Sequence, residues 1–343
     1  MSVNAAGTGG GSGLSSTPVI SADGSVVAFL SNATNLHPLD TNTVTDVYAR
    51  SLTTGTTHLV TMNAAGTGSA NGDAAGAMIS ADGVVVAFQS SANNLHPADT
   101  NTRNDVFARN LATGALQLVS MNAAGTNSGN GISTIGAISA DGAVVAFQSS
   151  ASDLHPLDTN TTQDVLARNL TTGITSLVSV NTAGTGSGNG VSIVGSMSAD
   201  GSVVAFQSNA SNLHPLDTNT TRDVLTRNLT TGATLLVSVN TAGSGSGNGI
   251  SSNPRISADG STVAFESDAT NLHPLDTNTL TDVYARNLAT NATHLVSVNA
   301  DGTGSGNGRS NVGAISVDGS IVAFRSGAIN LHPLDTNLSA DVY

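Results

Sequence analysis

Ile138-Ser139-Ala140-Asp141-Gly142-Ala143-Val144-Val145-Ala146-Phe147 reads as two strands joined by a tight turn. Asp-Gly between apolar runs is a strong short-range hairpin signal, because Gly takes the positive φ such a turn needs. After the turn, Val144-Val145-Ala146-Phe147-Gln148 is apolar on both alternating faces. That pattern belongs to a strand covered on both sides rather than to one with a wet face. Before the turn, Gly136-Ala137-Ile138-Ser139 is the first strand. Downstream, a long polar loop runs through Leu154-His155-Pro156-Leu157-Asp158-Thr159-Asn160. A third strand, Asp164 to Leu170, follows. Thr171-Thr172-Gly173 turns the chain into a fourth, Thr175 to Val180. A Gly/Asn-rich loop, Thr182 to Gly190, leads onward. No segment combines a helical apolar period with caps, so no helix is expected.

The same unit recurs without insertion or deletion. Its His falls at His37, His96, His155, His214, His273 and His332, each step being 59 residues. Phe29, Phe88, Phe147, Phe206, Phe265 and Phe324 keep the same step. Four antiparallel strands per unit, repeated radially, is the plan of a propeller blade, in which stacked neighbours cover the sheet faces. The sequence therefore predicts an all-β, six-bladed β-propeller of four-stranded blades in one domain, residues 1–343, the first blade beginning near Leu14. Tyr343 aligns with Tyr284 in a third strand, and Ser2 with Thr61 in a fourth. Ser2-Val3-Asn4 is accordingly expected to complete the sixth blade as a velcro strand beside Asp341-Val342-Tyr343.

The chain has a formal net charge of −13, no Cys, no Trp, and basic residues that are all Arg. Phosphate binding needs clustered cations, so nucleic acid is not an expected partner. No apolar run is long enough to insert into a membrane. The acidic balance suits a secreted or periplasmic protein, although Met1-Ser2-Val3-Asn4 carries no signal-peptide pattern.

The unit resembles the TolB-like propeller repeat, also called the WD40-like or PD40 repeat. The matching residues are Ile138 to Phe147, Asp282-Val283-Tyr284-Ala285-Arg286-Asn287-Leu288, and the loop from Asp276 to Asp282. Ala140 stands where the commoner turn has Pro. The resemblance implies the propeller fold but no particular activity, since such folds carry unrelated functions. The near-identity of the units suggests recent amplification or design.

The long loops carry the candidate chemistry. Asp-x-Asn-x-x-x-Asp sets oxygens in calcium-loop fashion at Asp40, Asn42 and Asp46, then at Asp99, Asn101 and Asp105, and at Asp158, Asn160 and Asp164. The later copies are Asp217, Asn219 and Asp223, then Asp276, Asn278 and Asp282, then Asp335, Asn337 and Asp341. Ca²⁺ is one reading; Asx turns bonded to nearby backbone are the other. The repeated His is expected to bond a backbone group before its Pro, and the repeated Arg to pair with an Asp or a carbonyl. Ser90, His96 and Asp99 coexist in a loop, but six identical triads are not expected. The even symmetry is read as a noncatalytic scaffold, not an enzyme, that binds or displays a protein or glycan partner on the long-loop face. A lectin ranks below a protein binder, for want of aromatic platforms.

Overall fold

A computed structural model describes every residue from Met1 to Tyr343. It is all-β, with six antiparallel sheets. In the first, β1 (Ser15–Ile20), β2 (Val26–Ser31), β3 (Asp46–Ser51) and β4 (Thr57–Leu59) form a simple meander in the order β1-β2-β3-β4. The next four sheets repeat that order, and the last has three strands. The packing falls into two compact units, Met1–Thr161 with Leu166–Leu177, and Thr162–Val165 with Val178–Tyr343.

The core follows from the doubly apolar second strand. Phe29 pairs across to Tyr48, and Phe88 to Phe107 with ring centroids 5.6 Å apart. Val86, Ala87, Phe88, Val106 and Phe107 are wholly buried. Neighbouring sheets are joined by polar links as well as by packing. The carboxamide oxygen of Gln89 accepts the backbone N–H of Ile135 in the next first strand, at 3.1 Å. Within the second unit, Gln207 does the same for Asn253 at 2.8 Å and Glu266 for Val312 at 3.0 Å. The Asp-Gly turns also bond in sequence, Ala22 N–H to Ala81 C=O and Ala81 N–H to Ala140 C=O.

Two sequence expectations change. The fourth strand is shorter than expected, Thr175–Leu177 rather than Thr175 to Val180. The sixth sheet, Ser310–Ile315, Val322–Ser326 and Asp341–Val342, has no fourth strand. Ser2-Val3-Asn4 is not a velcro strand. Val3 makes an antiparallel bridge with Gly10, and the Gly11 N–H bonds the Ser2 carbonyl. The cause lies in the shortened fourth strand. Val3 aligns with Met62, which lies beyond β4 and bridges Ser69 inside the connecting loop. The N-terminal segment thus reproduces a loop, not an edge strand.

The turn glycines separate backbone strain from packing. Gly142 has φ +70°, and a Cβ there would sit 2.6 Å from Val85 Cγ2 of the preceding sheet. Gly24 has φ +71°, with nothing within 4 Å of the same position. Gly24→Ala is expected to cost about 1 kcal/mol for the left-handed backbone alone. Gly142→Ala should cost about 3 kcal/mol, because overpacking adds to it. Urea unfolding of the two variants checks this; equal losses would mean that the neighbouring sheets do not meet at these turns.

Candidate functional site

In the first unit, Asp40 Oδ1 accepts the N–H of Asn42 at 3.3 Å and the Ser69 hydroxyl at 3.2 Å, while Oδ2 accepts the Tyr48 hydroxyl. The Asn42 amide is fixed by its surroundings. Its oxygen accepts the Val44 N–H at 2.9 Å, and its nitrogen donates to Ser69 Oγ and Ala70 O, each at 2.7 Å. Asp46 Oδ1 accepts the Thr61 hydroxyl at 2.5 Å. The pattern recurs. Asn101, Asn219 and Asn278 donate to Ser128, Ser246 and Ser305. The hydroxyls of Ser120, Ser179, Ser238 and Ser297 donate to Asp105, Asp164, Asp223 and Asp282. Asp158 and Asn160 are likewise engaged. In the last unit Tyr343 donates to Asp335 and Asn337 to Asp341.

This donor set does not make a calcium shell. Ca²⁺ takes about six to eight oxygens. Here both oxygens of Asp40 and the oxygen of Asn42 are occupied by hydrogen bonds, and nowhere do three or more His, Asp or Glu side chains converge as a metal site. The loop residues form Asx turns that stitch the second-to-third loop to the fourth-to-first loop, the alternative that the spacing had left open. Ser90 Oγ donates to the Asp73 carbonyl, while the His96 ring is held by the Ala98 N–H, so the two are not brought together as a dyad.

The seventh-position carboxylates are costly. Asp46, Asp223 and Asp282 are 0% exposed, and Oδ2 of each has no hydrogen-bond partner. Burial pushes Asp46, Asp105, Asp223 and Asp282 up to about 7, against the opposing effect of the hydroxyl bonds. The first-position Asp depends on the facing ring. Tyr284 donates to Asp276 Oδ2 at 2.6 Å. Phe107 occupies that place in the second unit, where Asp99 Oδ2 is buried without a partner and desolvation raises its pKa.

A second feature was not read from the sequence: a recurring cleft beside the short fourth strand. In the first unit it measures about 330 Å³ and is lined by Asn4, His37, Pro38, Arg50, Gly55 and Thr57. A cleft of about 330 Å³ recurs around His214, Arg227 and Thr234, and one of about 500 Å³ around His273, Arg286 and Thr293. The third-to-fourth turn therefore contributes together with the long loop. His37 Nδ1 accepts the Leu39 N–H at 3.3 Å, the backbone bond expected of it, which leaves Nε2–H as the free ring donor. His214 and His273 do likewise with Leu216 and Leu275. Burial lowers the pKa of all three rings, favouring this neutral form. Arg50, Arg227 and Arg286 donate through Nη1 to Thr57, Thr234 and Thr293 at 2.7, 2.9 and 2.7 Å. The expected Asp partner is absent, because the one ion pair in the protein joins Arg309 to Asp268. Arg109 does bond carbonyls, those of Val60, Met62 and Gly114.

No family model and no curated protein matches the chain. Similar solved structures include a putative TolB from Agrobacterium tumefaciens, 16% identical with a TM-score of 0.45 over 82% of this chain and 80% of that one. An oligogalacturonate lyase in complex with manganese is 13% identical, with a TM-score of 0.49 over 95% and 72%. A prolyl endopeptidase is 13% identical, with a TM-score of 0.43 over 96% of this chain and 50% of that one. A TolB thus stands among the similar structures, in keeping with the repeat that the sequence motifs resemble. Other similar structures are named as enzymes, which corrects the expectation that the chain is not an enzyme. Even repetition of the fold does not exclude catalysis. No helix is long and apolar enough to cross a membrane.

Two outcomes follow from the buried carboxylates. An Asp whose folded pKa is raised to about 7 holds its proton in the native state after the unfolded chain has lost it, so stability falls as pH rises from about 4 to about 7. The His37, His96, His155, His214 and His273 rings, lowered by burial, act oppositely as pH falls below about 6.5, but the carboxylate shifts are the larger; exposed Asp23 and Asp318, lowered to about 2, act oppositely only as pH falls towards 2. The melting temperature should therefore be higher at pH 5 than at pH 8; a higher value at pH 8 would contradict the assignment. Separately, Phe107→Tyr should supply Asp99 Oδ2 with the hydroxyl that Tyr284 gives Asp276, stabilising the protein by about 1 kcal/mol at pH 7. Denaturant titration measures it, and a loss of stability would show that the ring cannot sit as Tyr284 does.

Proposed function

We propose that the chain is a binding scaffold that offers the same cleft from several of its repeats to an extended protein partner. The recurrence of the cleft in the first, fourth and fifth repeats, with the same His, Arg and Thr, carries this reading. Repeated weak sites joined on one scaffold gain avidity without any new contact, provided the partner spans them. A glycan partner is disfavoured by the chemistry of the cleft walls. Tyr48 and Tyr284 are 0% exposed, the chain has no Trp, and no Tyr or Phe lines any of the three clefts, so none offers a sugar ring a Tyr, Phe or Trp face. The pocket between the Asp-Gly turns, lined by Val85, Asn110, Asp141 and Leu170, offers little chemistry, since Asp141 Oδ1 is held by Ser139 and Ala143.

Hydrogen exchange on the protein with a partner selected from a displayed peptide library, run beside a glycan array, tests the proposal. Protection is expected together at Val239 to Gly243 and Leu272 to Pro274 in the fifth-repeat cleft, and again at Val180 to Gly184 in the fourth. Protection in one repeat only, or binding confined to the glycan array, would overturn it.

A further inference from the structure

We infer that each Arg–His–Thr cleft is a carboxylate site, receiving an acidic side chain of the partner; this rests on the scaffold reading above and specifies its ligand. The chain holds 23 acidic residues against ten Arg, yet Arg50, Arg227 and Arg286 touch no carboxylate. Each is half-buried in an open cleft, and desolvation lowers the pKa of Arg227 and Arg286, the sign of a guanidinium short of hydration and of counter-charge.

The geometry pre-sets the fork. Thr57, Thr234 and Thr293 hold Nη1, which fixes the plane of the guanidinium. At Arg50 and Arg227, Nη2 lies over a turn glycine, 3.6 Å from where a Cβ would be at Gly55 or Gly232. That is ordinary van der Waals distance, and the positive φ of Gly55 and Gly232, +72° and +71°, belongs to the turn itself. At Arg286 the turn residue is Asn291, whose Oδ1 accepts from Nη2 at 3.3 Å and so stands in for a ligand oxygen. The neutral imidazole of His37, His214 or His273 adds its free Nε2–H to the same cleft. Donors converge on each cleft with no acceptor charge among them. A planar fork with part of its donors free matches a carboxylate bidentately.

The class of anion follows from the rest of the chain. A net charge of −13 repels a dianion about twice as strongly as a monoanion at long range, which disfavours phosphate. At physiological salt that repulsion is screened beyond about 8 Å, whereas contact with the guanidinium is not. A carboxylate can therefore reach the cleft.

The test is a two-dimensional NMR titration of the full chain that follows the Nε–H signals of Arg227 and Arg286 and, so that the fourth cleft stays visible when its arginine is replaced, the backbone amides of Gly184 and Gly232 that line it, with acetate, acetamide and inorganic phosphate as probes. Acetate should shift both signals saturably, acetamide should not, and phosphate should bind more weakly than acetate. Arg227→Gln should weaken acetate at its own cleft by about tenfold and leave the Arg286 signal responding. Thr234→Val, which removes only the hydroxyl holding Nη1, should weaken it less. Circular dichroism confirms that each variant is folded, and where one is not, the wild-type probe series alone decides. Equal shifts with acetate and acetamide, no shift at all, an unaltered response in Arg227→Gln, or tighter binding of phosphate would each overturn the carboxylate site. Partner binding that survives Arg227→Gln with Arg286→Gln would sink the carboxylate site and leave the scaffold standing. Acetate binding without partner engagement of the clefts would do the reverse.

Discussion

A sheet whose second strand is apolar on both faces cannot end at its own edges; both faces must be covered. Val145 and Phe147 are wholly buried, and so is Ala146, on the opposite face of the same strand. Four strands supply no second layer, so each sheet depends on a neighbour drawn from the adjoining repeat. That dependence explains why the 59-residue step is held without a gap. Adding one residue to a strand would turn every side chain to the other face and bring polar positions into the packing. The links between neighbours also require the step. Gln89 reaches Ile135, and Glu266 reaches Val312, each 46 residues on. The first strand carries a bulge where it pairs with the second, which frees a backbone donor for that side chain.

Strands and turns were legible because they are local. Gly24, Gly83, Gly142, Gly201, Gly260 and Gly319 all have positive φ, as the Asp-Gly reading requires. The end of the fourth strand was not legible, because a contact made far along the chain sets it. Thr175-Ser176-Leu177-Val178-Ser179-Val180 alternates as a strand should, yet the ladder stops at Leu177. Ser179 turns its hydroxyl onto Asp164 Oδ1 and accepts the Val165 N–H, and the backbone leaves the sheet to let it do so. Reading the N-terminal segment as an edge strand inherited the same error by homology within the repeat.

The Asp/Asn loops show the converse case, in which spacing singles the residues out but says nothing of their partners. Spacing within the loop is the spacing of oxygen ligands, and it remains compatible with metal until the donors are found. Those donors arrive from 15 and 29 residues downstream, as Thr61 to Asp46 and Ser69 to Asp40. Once a hydroxyl, a phenol and two backbone groups are placed, few oxygens are left for a cation. The Oδ2 atoms that remain are buried and raised in pKa, and such a group is eased by a proton more readily than by a hydrated divalent ion that must first shed its water.

The arginines invite the opposite comparison. Arg109 shows what a purely structural arginine looks like in this repeat. With Leu116 where the other repeats have Thr, it gives its donors to three carbonyls. Arg50 and Arg227 keep one anchoring bond each, to the threonine, and leave their forks facing an open cleft. In a chain so rich in Asp, a carboxylate neighbour would need only a substitution at one nearby position, yet none is present. An unpaired guanidinium costs hydration where it is half-covered, and a compact ammonium, being more strongly hydrated, would bear that position less well. An arginine anchored by the threonine beneath it and left facing an open cleft, in the first and fourth repeats, is therefore the arrangement of a donor held ready for an anion that the chain itself does not supply.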